Sequence, residues 1–212
     1  MRVLIMANGE YGSLPRLKPL LAGAQLIICA DGGANYARRM GLKPDFIVGD
    51  MDSIRPEVKA FYERQGVAMR LHPPRKDATD LQLALELALQ QRASDIMIVG
   101  ALGGRLDFSF SNLLAGLPVL EHGAAVCYIS AALRVYLCRD KLLLNGTPGD
   151  TVSLLPLTPQ AAGVGLRGFE YPLRDAVLTQ YDPFAVSNVM LQEMGEVSVS
   201  QGVLAVFHYP LT

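Results

Sequence analysis

A change of periodicity near residue 131 constrains the fold more than any other feature of this chain. Upstream of it, short apolar runs alternate with stretches of helical spacing. Residues 3–7, 26–30, 46–48, 67–71, 96–99 and 125–129 read as strands, and residues 33–40, 56–65, 79–92 and 107–120 as helices. Strands buried on both faces are almost continuously apolar, and strand–helix alternation supplies the crossovers that parallel pairing needs. Residues 1–130 are therefore expected to form an α/β domain, a mostly parallel open sheet with helices on both faces. Downstream the helical period is lost. Runs at 134–138, 151–155, 176–179, 196–200 and 203–208, separated by Gly, Pro and Asn, predict an all-β sandwich over residues 131–212. Gln201-Gly202 between the last two runs reads as a hairpin turn.

Two helices carry end signals. Pro56 and Glu57 open one with a pre-set φ and a charge suited to the helix dipole, and Gly66 closes it. Thr79 and Gln82 form a capping-box pair that puts Asp80 in the first turn of the next. That helix is apolar nearly all round, through Leu81, Leu83, Ala84, Leu85, Leu87, Ala88 and Leu89. It is expected to be buried on more than one side, against its own sheet and against a partner chain.

Charge excludes some partners. With 19 basic and 20 acidic residues among 212, the formal net charge of -1 offers no bulk attraction for nucleic acid or an anionic membrane. Any phosphate binding must be local. No apolar run approaches the ~20 residues of a spanning helix, and residues 1–7 are too short for a secretory apolar segment. Cys29, Cys127 and Cys138 sit in apolar runs without metal-ligand spacing, as reduced thiols of a cytoplasmic core would.

Ligands of open parallel sheets bind at the carboxyl ends of the strands, so the turns there are the place to look for chemistry. Pro44-Asp45-Phe46-Ile47-Val48-Gly49-Asp50-Met51-Asp52-Ser53 ends an apolar run in two carboxylates spaced i, i+2. In extended chain both point to one side and reach a single ion, and oxygen ligands suit Mg²⁺; a polar turn is the alternative. Asp31-Gly32-Gly33 lets backbone amides approach an anion at a helix start, or is a tight turn. It lacks the dinucleotide spacing, which argues against a nicotinamide enzyme. Lys76-Asp77-Ala78-Thr79-Asp80 puts a cation beside another acid. Asp80 is a third metal ligand, an acceptor for a substrate proton, or an acid serving its helix dipole. Gly103-Gly104-Arg105 joins backbone access to a guanidinium that forks onto phosphate oxygens, or is a turn with a solvated arginine. His72, His122 and His208 show no ligand spacing, and no serine or cysteine sits in a nucleophile elbow.

Ala30-Asp31-Gly32-Gly33-Ala34-Asn35, the Asp50-x-Asp52 segment, Lys76-Asp77-x-Thr79-Asp80 and Gly103-Gly104-Arg105-Leu106-Asp107 resemble, in order and spacing, motifs of the thiamine pyrophosphokinase family. Gly168 to Leu173 and Ser187-Asn188 extend the likeness into the second half. The resemblance implies an α/β ATP/Mg-binding catalytic domain, a β-sandwich acceptor-binding and dimerisation domain, and a homodimer with its active site between subunits. It implies pyrophosphoryl transfer from ATP to the hydroxyl of thiamine, giving thiamine diphosphate and AMP. Carried over by motif, Asp50, Asp52 and Asp80 hold Mg²⁺ and act with Arg105 in catalysis. Asp31, Lys76, Arg105, Asp107 and Asn112 line the ATP site, with Gly32, Gly33, Gly103 and Gly104 giving backbone access. Ser187 and Asn188 contact the acceptor's pyrimidine ring. Phe108 stands where the family carries His or Gln, and Val189 where it carries Glu. There is no tryptophan, so acceptor stacking falls to Tyr171, Tyr181 or Phe184. The alternatives are a pyrophosphokinase for another hydroxymethyl heterocycle, such as a pterin, and a non-catalytic nucleotide-binding protein.

Overall fold

Six apolar runs of the first 130 residues become parallel strands: β1 (Arg2–Met6), β2 (Leu26–Ala30), β3 (Phe46–Gly49), β4 (Ala68–Leu71), β5 (Asp95–Val99) and β6 (Ala125–Ile129). This computed structural model describes residues 1–73, 78–182 and 184–211. The chain divides into two units, residues 1–131 and 132–212.

Within the first unit the strands run β4-β3-β2-β1-β5-β6, with Ile5 opposite both Ile28 and Ile98. The connections carry α1 (Leu14–Leu17), α2 (Gly33–Arg39), α3 (Pro56–Arg64), α4 (Asp80–Gln90), α5 (Leu106–Ala115) and α6 (Leu117–Glu121). Leu4, Met6, Cys29, Ile47, Met97 and Val99 face one side, where they pack with Ala34 and Ala37 of α2 and Val58 and Tyr62 of α3. The alternating set, Val3, Ile5, Ile28, Val48, Ile96 and Ile98, is equally buried on the other face, and α4 lies across β1, β2 and β3. Helices thus cover both faces of the sheet.

Thr79 caps α4 as its sequence predicts. Its Oγ1 accepts from Gln82 N at 3.2 Å, and its N donates to Gln82 Oε1 at 2.8 Å. Leu81, Leu83, Ala84, Leu85, Leu87 and Ala88 are buried within this one chain. The apolar circumference assigned to a partner is therefore used internally, because the helix is sunk onto the sheet. The predicted helix 107–120 is broken into α5 and α6 at Gly116, and Pro118, which has no N–H to continue the ladder, stands at the start of α6.

The second unit contains β7 (Arg134–Cys138), β8 (Lys141–Asn145), β9 (Thr151–Pro156), β10 (Gln160–Arg167), β11 (Leu173–Thr179), β12 (Asn188–Val189), β13 (Met194–Ser198) and β14 (Leu204–Tyr209). They form two antiparallel layers, β12-β9-β14-β7 and β11-β10-β13-β8. Val152, Leu154, Leu204 and Val206 from one layer meet Val164, Leu166, Leu178 and Val197 from the other in one core, which makes the unit a sandwich. The expected hairpin at Gln201-Gly202 does not form, since β13 and β14 belong to different layers. Main-chain bonds of Ser200 and Gln201 to Ala162 carry the chain across from one layer to the other. Alternating apolar residues on both sides of the turn satisfied hairpin and crossover alike.

Candidate active site

A cleft of about 570 Å³ opens in the first unit at the carboxyl ends of its strands, lined by the turns after β1, β2, β3 and β5 and the start of α4. At one end stand Asp31, Asp50 and Asp80, each offering an oxygen within 4.8 Å of the others. Asp31 follows β2 with φ at +43°, a strained value for a residue with a Cβ. Gly49 closes β3 with φ at +144°; a Cβ there would come within 2.9 Å of Asp80 Oδ1 and 3.0 Å of Asp31 Cβ. Glycine is required here because the carboxylates crowd against the backbone. Asp80 is the first residue of α4, set by the Thr79 cap.

Asp31 is 2% exposed. Its Oδ2 accepts from Ser53 N at 3.1 Å, whereas Oδ1 is buried with no partner. Burial pushes the Asp31 carboxyl up; Ser53 opposes this, and the charges of Asp80 and Asp52 add to it, leaving the group raised. Three convergent acids, one with an orphaned buried oxygen, are a donor set that fits a hard divalent cation.

Asp52 lies outside this group. Met51, at φ +68°, breaks the extended backbone that the i, i+2 spacing assumed. Asp52 instead accepts from Ser53 Oγ at 2.9 Å, and its N donates to Asp50 Oδ1 at 3.2 Å. Asn35 braces this turn, donating to Ser53 O at 2.9 Å and accepting from Arg55 N at 3.0 Å.

Gly103, Gly104, Arg105, Phe108 and Asn112 line the other end of the cleft. Arg105 forks onto Asp107, and its guanidinium carbon lies 4.4 Å from the Phe108 ring centroid. Phe108 therefore offers Arg105 an aromatic face. Asn112 Nδ2 donates to Ala101 O at 2.8 Å. Gly32 and Gly33 are not cleft residues. A Cβ on Gly33 would fall 1.9 Å from Met6 O, so Gly33 serves the packing of α2 against β1, whereas one on Gly32 would strike the side chain of Asn8, which itself lines the cleft. Lys76, with its neighbour Asp77, lies outside the described residues. Asn8, Glu10 and Thr79 line the cleft without having been singled out as site residues; for Asn8 and Glu10 the available signal was their place in the turn after β1.

In the second unit Ser187 takes φ +57° and its N donates to Ser153 Oγ at 2.9 Å. Asn188 is buried. Its Oδ1 accepts from Tyr171 N and Val189 N, and its Nδ2 donates to Tyr171 O at 2.7 Å, so its amide holds the Tyr171 backbone. Tyr171, Phe184, Val186 and Asn188 border a cavity of about 90 Å³ floored by Leu166 and Leu173.

Residues 17–128 match the model of the thiamin pyrophosphokinase catalytic domain, which covers more than half of the chain. The chain belongs to the thiamin pyrophosphokinase family. Residues 141–204 match that family's vitamin B1 binding domain. Thiamine pyrophosphokinase 1 of Arabidopsis thaliana is 30% identical over 217 residues, 85% of this chain and 77% of that one. Thiamine pyrophosphokinase of Bacillus subtilis is 26% identical over 211 residues, 94% of each. Among solved structures, the Bacillus subtilis thiamine pyrophosphokinase superposes with a TM-score of 0.89 at 24% identity, covering 100% of both chains. The thiamin pyrophosphokinase of Geobacillus thermodenitrificans gives 0.85 at 25%, covering 100% of this chain and 99% of that one. The α/β unit followed by a β-sandwich is the architecture of this family.

Proposed function

We propose that this protein transfers the pyrophosphoryl group of ATP to the hydroxyl of thiamine, forming thiamine diphosphate and AMP. The observation that carries the chemistry is the convergence of Asp31, Asp50 and Asp80 at the strand-end cleft. Transfer of this type asks a protein chiefly to align the reactants and neutralise charge. Mg²⁺ bound there would offset the negative charge of the phosphate oxygens. Asp50 and Asp80 would hold it with Asp31, whose Oδ1 is buried without a partner, while Asp52 enters the ligand set on the family likeness. Arg105, oriented by Asp107 and Phe108, takes phosphate oxygens at the other end, with Lys76 assigned alongside it by motif. The thiamine hydroxyl oxygen bonds to the β-phosphorus as the bond from that phosphorus to the AMP oxygen breaks. Asp80 orients the hydroxyl for this attack. Ser187 meets the pyrimidine ring, and Asn188 contributes through the Tyr171 segment that it ties down.

We infer a homodimer from α5 rather than α4. Leu106, Phe110 and Leu114, spaced i, i+4, i+8, are 83%, 61% and 36% exposed, an apolar stripe of the kind that associating surfaces present. Sedimentation is expected to give about twice 22.9 kDa; a monomer at micromolar concentration contradicts it. Three free thiols accord with a cytoplasmic location. Among the described residues no helix is long and apolar enough to cross a membrane.

The deciding assay is AMP release by the purified protein with ATP, Mg²⁺ and thiamine, run beside a hydroxymethylpterin. Thiamine-dependent AMP with thiamine diphosphate is expected, and Asp50→Ala is expected to abolish it while the protein still melts cooperatively. AMP with the pterin alone reassigns the acceptor, and AMP with neither refutes the reading.

A further inference from the structure

The second unit contains a buried acid–imidazole pair for which the transfer reaction has no use. His208 on β14 is 0% exposed, and Asp150, just before β9, is 1% exposed. His208 Nε2 lies 2.7 Å from Asp150 Oδ2. The same oxygen accepts from Thr147 N at 2.9 Å, and Oδ1 accepts from Leu211 N at 2.8 Å. Burial alone pushes the Asp150 carboxyl up, but the N–H groups of Leu211 and Thr147 and the imidazole outweigh it and hold the group below the usual carboxylate range. Asp150 is thus an ionised acceptor and His208 Nε2 its donor. His208 Nδ1 is buried with no partner. A half-satisfied imidazole buried with its acid in an apolar sandwich core, beside Val152 and Val206, contributes less stability than two apolar residues of the same shapes would in place of the pair. Its presence calls for another reason.

That reason is what the pair holds. Gly149 N donates to Met190 O at 2.8 Å, and Met190 N donates to Asp150 O at 2.9 Å, so the 147–150 turn clasps Met190 by both main-chain groups. Immediately before Met190 come Asn188 and Val189, the two residues of β12, which pair with Val152 and Thr151 of β9 and are tied on their other side to residues 169–171, where Val189 O accepts from Glu170 N at 2.9 Å. Ser187 precedes them in its left-handed conformation. So short a strand cannot fix such a conformation alone. Gly146, the residue that leads into the turn, packs directly on the pair: a Cβ there would lie 2.6 Å from Asp150 Oδ2 and 3.1 Å from His208 Nε2.

We propose that Asp150 and His208 are positioning residues for acceptor binding. The pair anchors the 147–150 turn to β14, and the turn fixes residues 187–190 in the geometry that presents Ser187 to thiamine. This rests on the reading that Ser187 contacts thiamine.

The test is steady-state kinetics of the full chain with thiamine and ATP varied separately. His208→Leu is expected to raise KM for thiamine about tenfold, the equivalent of about one buried hydrogen bond, and to leave KM for ATP unchanged. His208→Gln, whose amide N–H can replace the Nε2 donor, is expected to recover most of that loss. A merely structural pair would lower the melting temperature without separating the two KM values, and a thiamine KM within twofold of wild type in a folded His208→Leu overturns the proposal. Hydrogen exchange on the wild type needs no substitution. Thiamine is expected to slow exchange at Gly149 and Met190 together, relative to Val197 in the other layer, and no such difference overturns the proposal whether or not the variant folds. A wild type that makes thiamine diphosphate while these arms fail removes only the positioning role; a wild type that makes none removes the acceptor reading itself.

Discussion

Replacing Asp31 by asparagine separates the cost of gathering three carboxylates from what they are gathered to hold. The oxygens of Asp31, Asp50 and Asp80 lie within 4.8 Å of one another. At that separation and an effective dielectric of about 20, two unit charges repel by about 3 kcal/mol. Asp31 belongs to two such pairs, but Asp50 and Asp80 are half-buried, and water and salt reduce the recoverable part to about 2 kcal/mol. Asparagine keeps the shape and an acceptor for Ser53 N, removes the charge, and can turn an N–H toward the acids from the position of the partnerless Oδ1.

The metal-free variant is therefore expected to melt about 6 °C above wild type, at roughly 2–4 °C per kcal/mol for a chain of this size. Millimolar Mg²⁺ is expected to raise the wild-type melting temperature and to leave the variant nearly where it was. The pH dependence has a definite sign. The folded pKa of Asp31 lies above the ordinary aspartate value of 3.8. Its contribution to stability is fully present below that unfolded value and is lost as pH rises through the raised folded one. The gap between variant and wild type in EDTA should be small near pH 4 and open toward pH 7. Melting curves in EDTA and in MgCl₂ at both pH values decide it. A variant that melts below wild type in EDTA and keeps the full Mg²⁺ shift would refute the reasoning.

Thr79→Ala removes the capping box of α4 and is expected to cost about 1 kcal/mol, read as a fall of about 3 °C in melting temperature. Because Asp80 is the next residue, the same variant should need more Mg²⁺ for half-maximal turnover. Burial pushes the Cys138 thiol up to about 11 and that of Cys29 higher still, so a thiol titration near pH 8 is expected to find at most Cys127 reactive in the folded protein and all three after unfolding. Phe110→Glu on the exposed face of α5 should shift sedimentation toward 22.9 kDa, with a stability change within about 0.5 kcal/mol.

Much of the fold was legible because its signals are local. β2, β6 and β7 occupy the predicted residues, and the Thr79–Gln82 pair marks the start of α4 before any packing is known. What was not legible depends on pairing at a distance. β8 (Lys141–Asn145) and β10 (Gln160–Arg167) carry weaker apolar runs, yet both are strands because β13 lies between them and bonds to each. Leu14–Leu17, a single helical turn with Pro15 in its first positions and Pro19 just beyond it, has too few residues to show a period.

The site divides along the same line. Spacing along the chain favoured Asp50 with Asp52, because two residues apart in extended backbone share a side; the fold instead gathers Asp31, Asp50 and Asp80, which are 19 and 30 residues apart. Parallel pairing explains this. Ala30 stands opposite Val48, so the residues that follow, Asp31 and Asp50, leave adjacent strands at one end of the sheet, and the α4 N-terminus returns to the same end. The turns at Asp31 and Met51, both with positive φ, then decide which side chains point inward. Sequence reading can name the strand ends where such acids collect, whereas membership of the group depends on two backbone angles that no residue type dictates. For that reason the Asp31→Asn and Asp50→Ala variants, taken together, test more than either alone. Loss of the Mg²⁺ shift in both would place the ion among the three gathered acids, whereas loss in Asp50→Ala with retention in Asp31→Asn would restore the Asp50–Asp52 pair as its principal ligands.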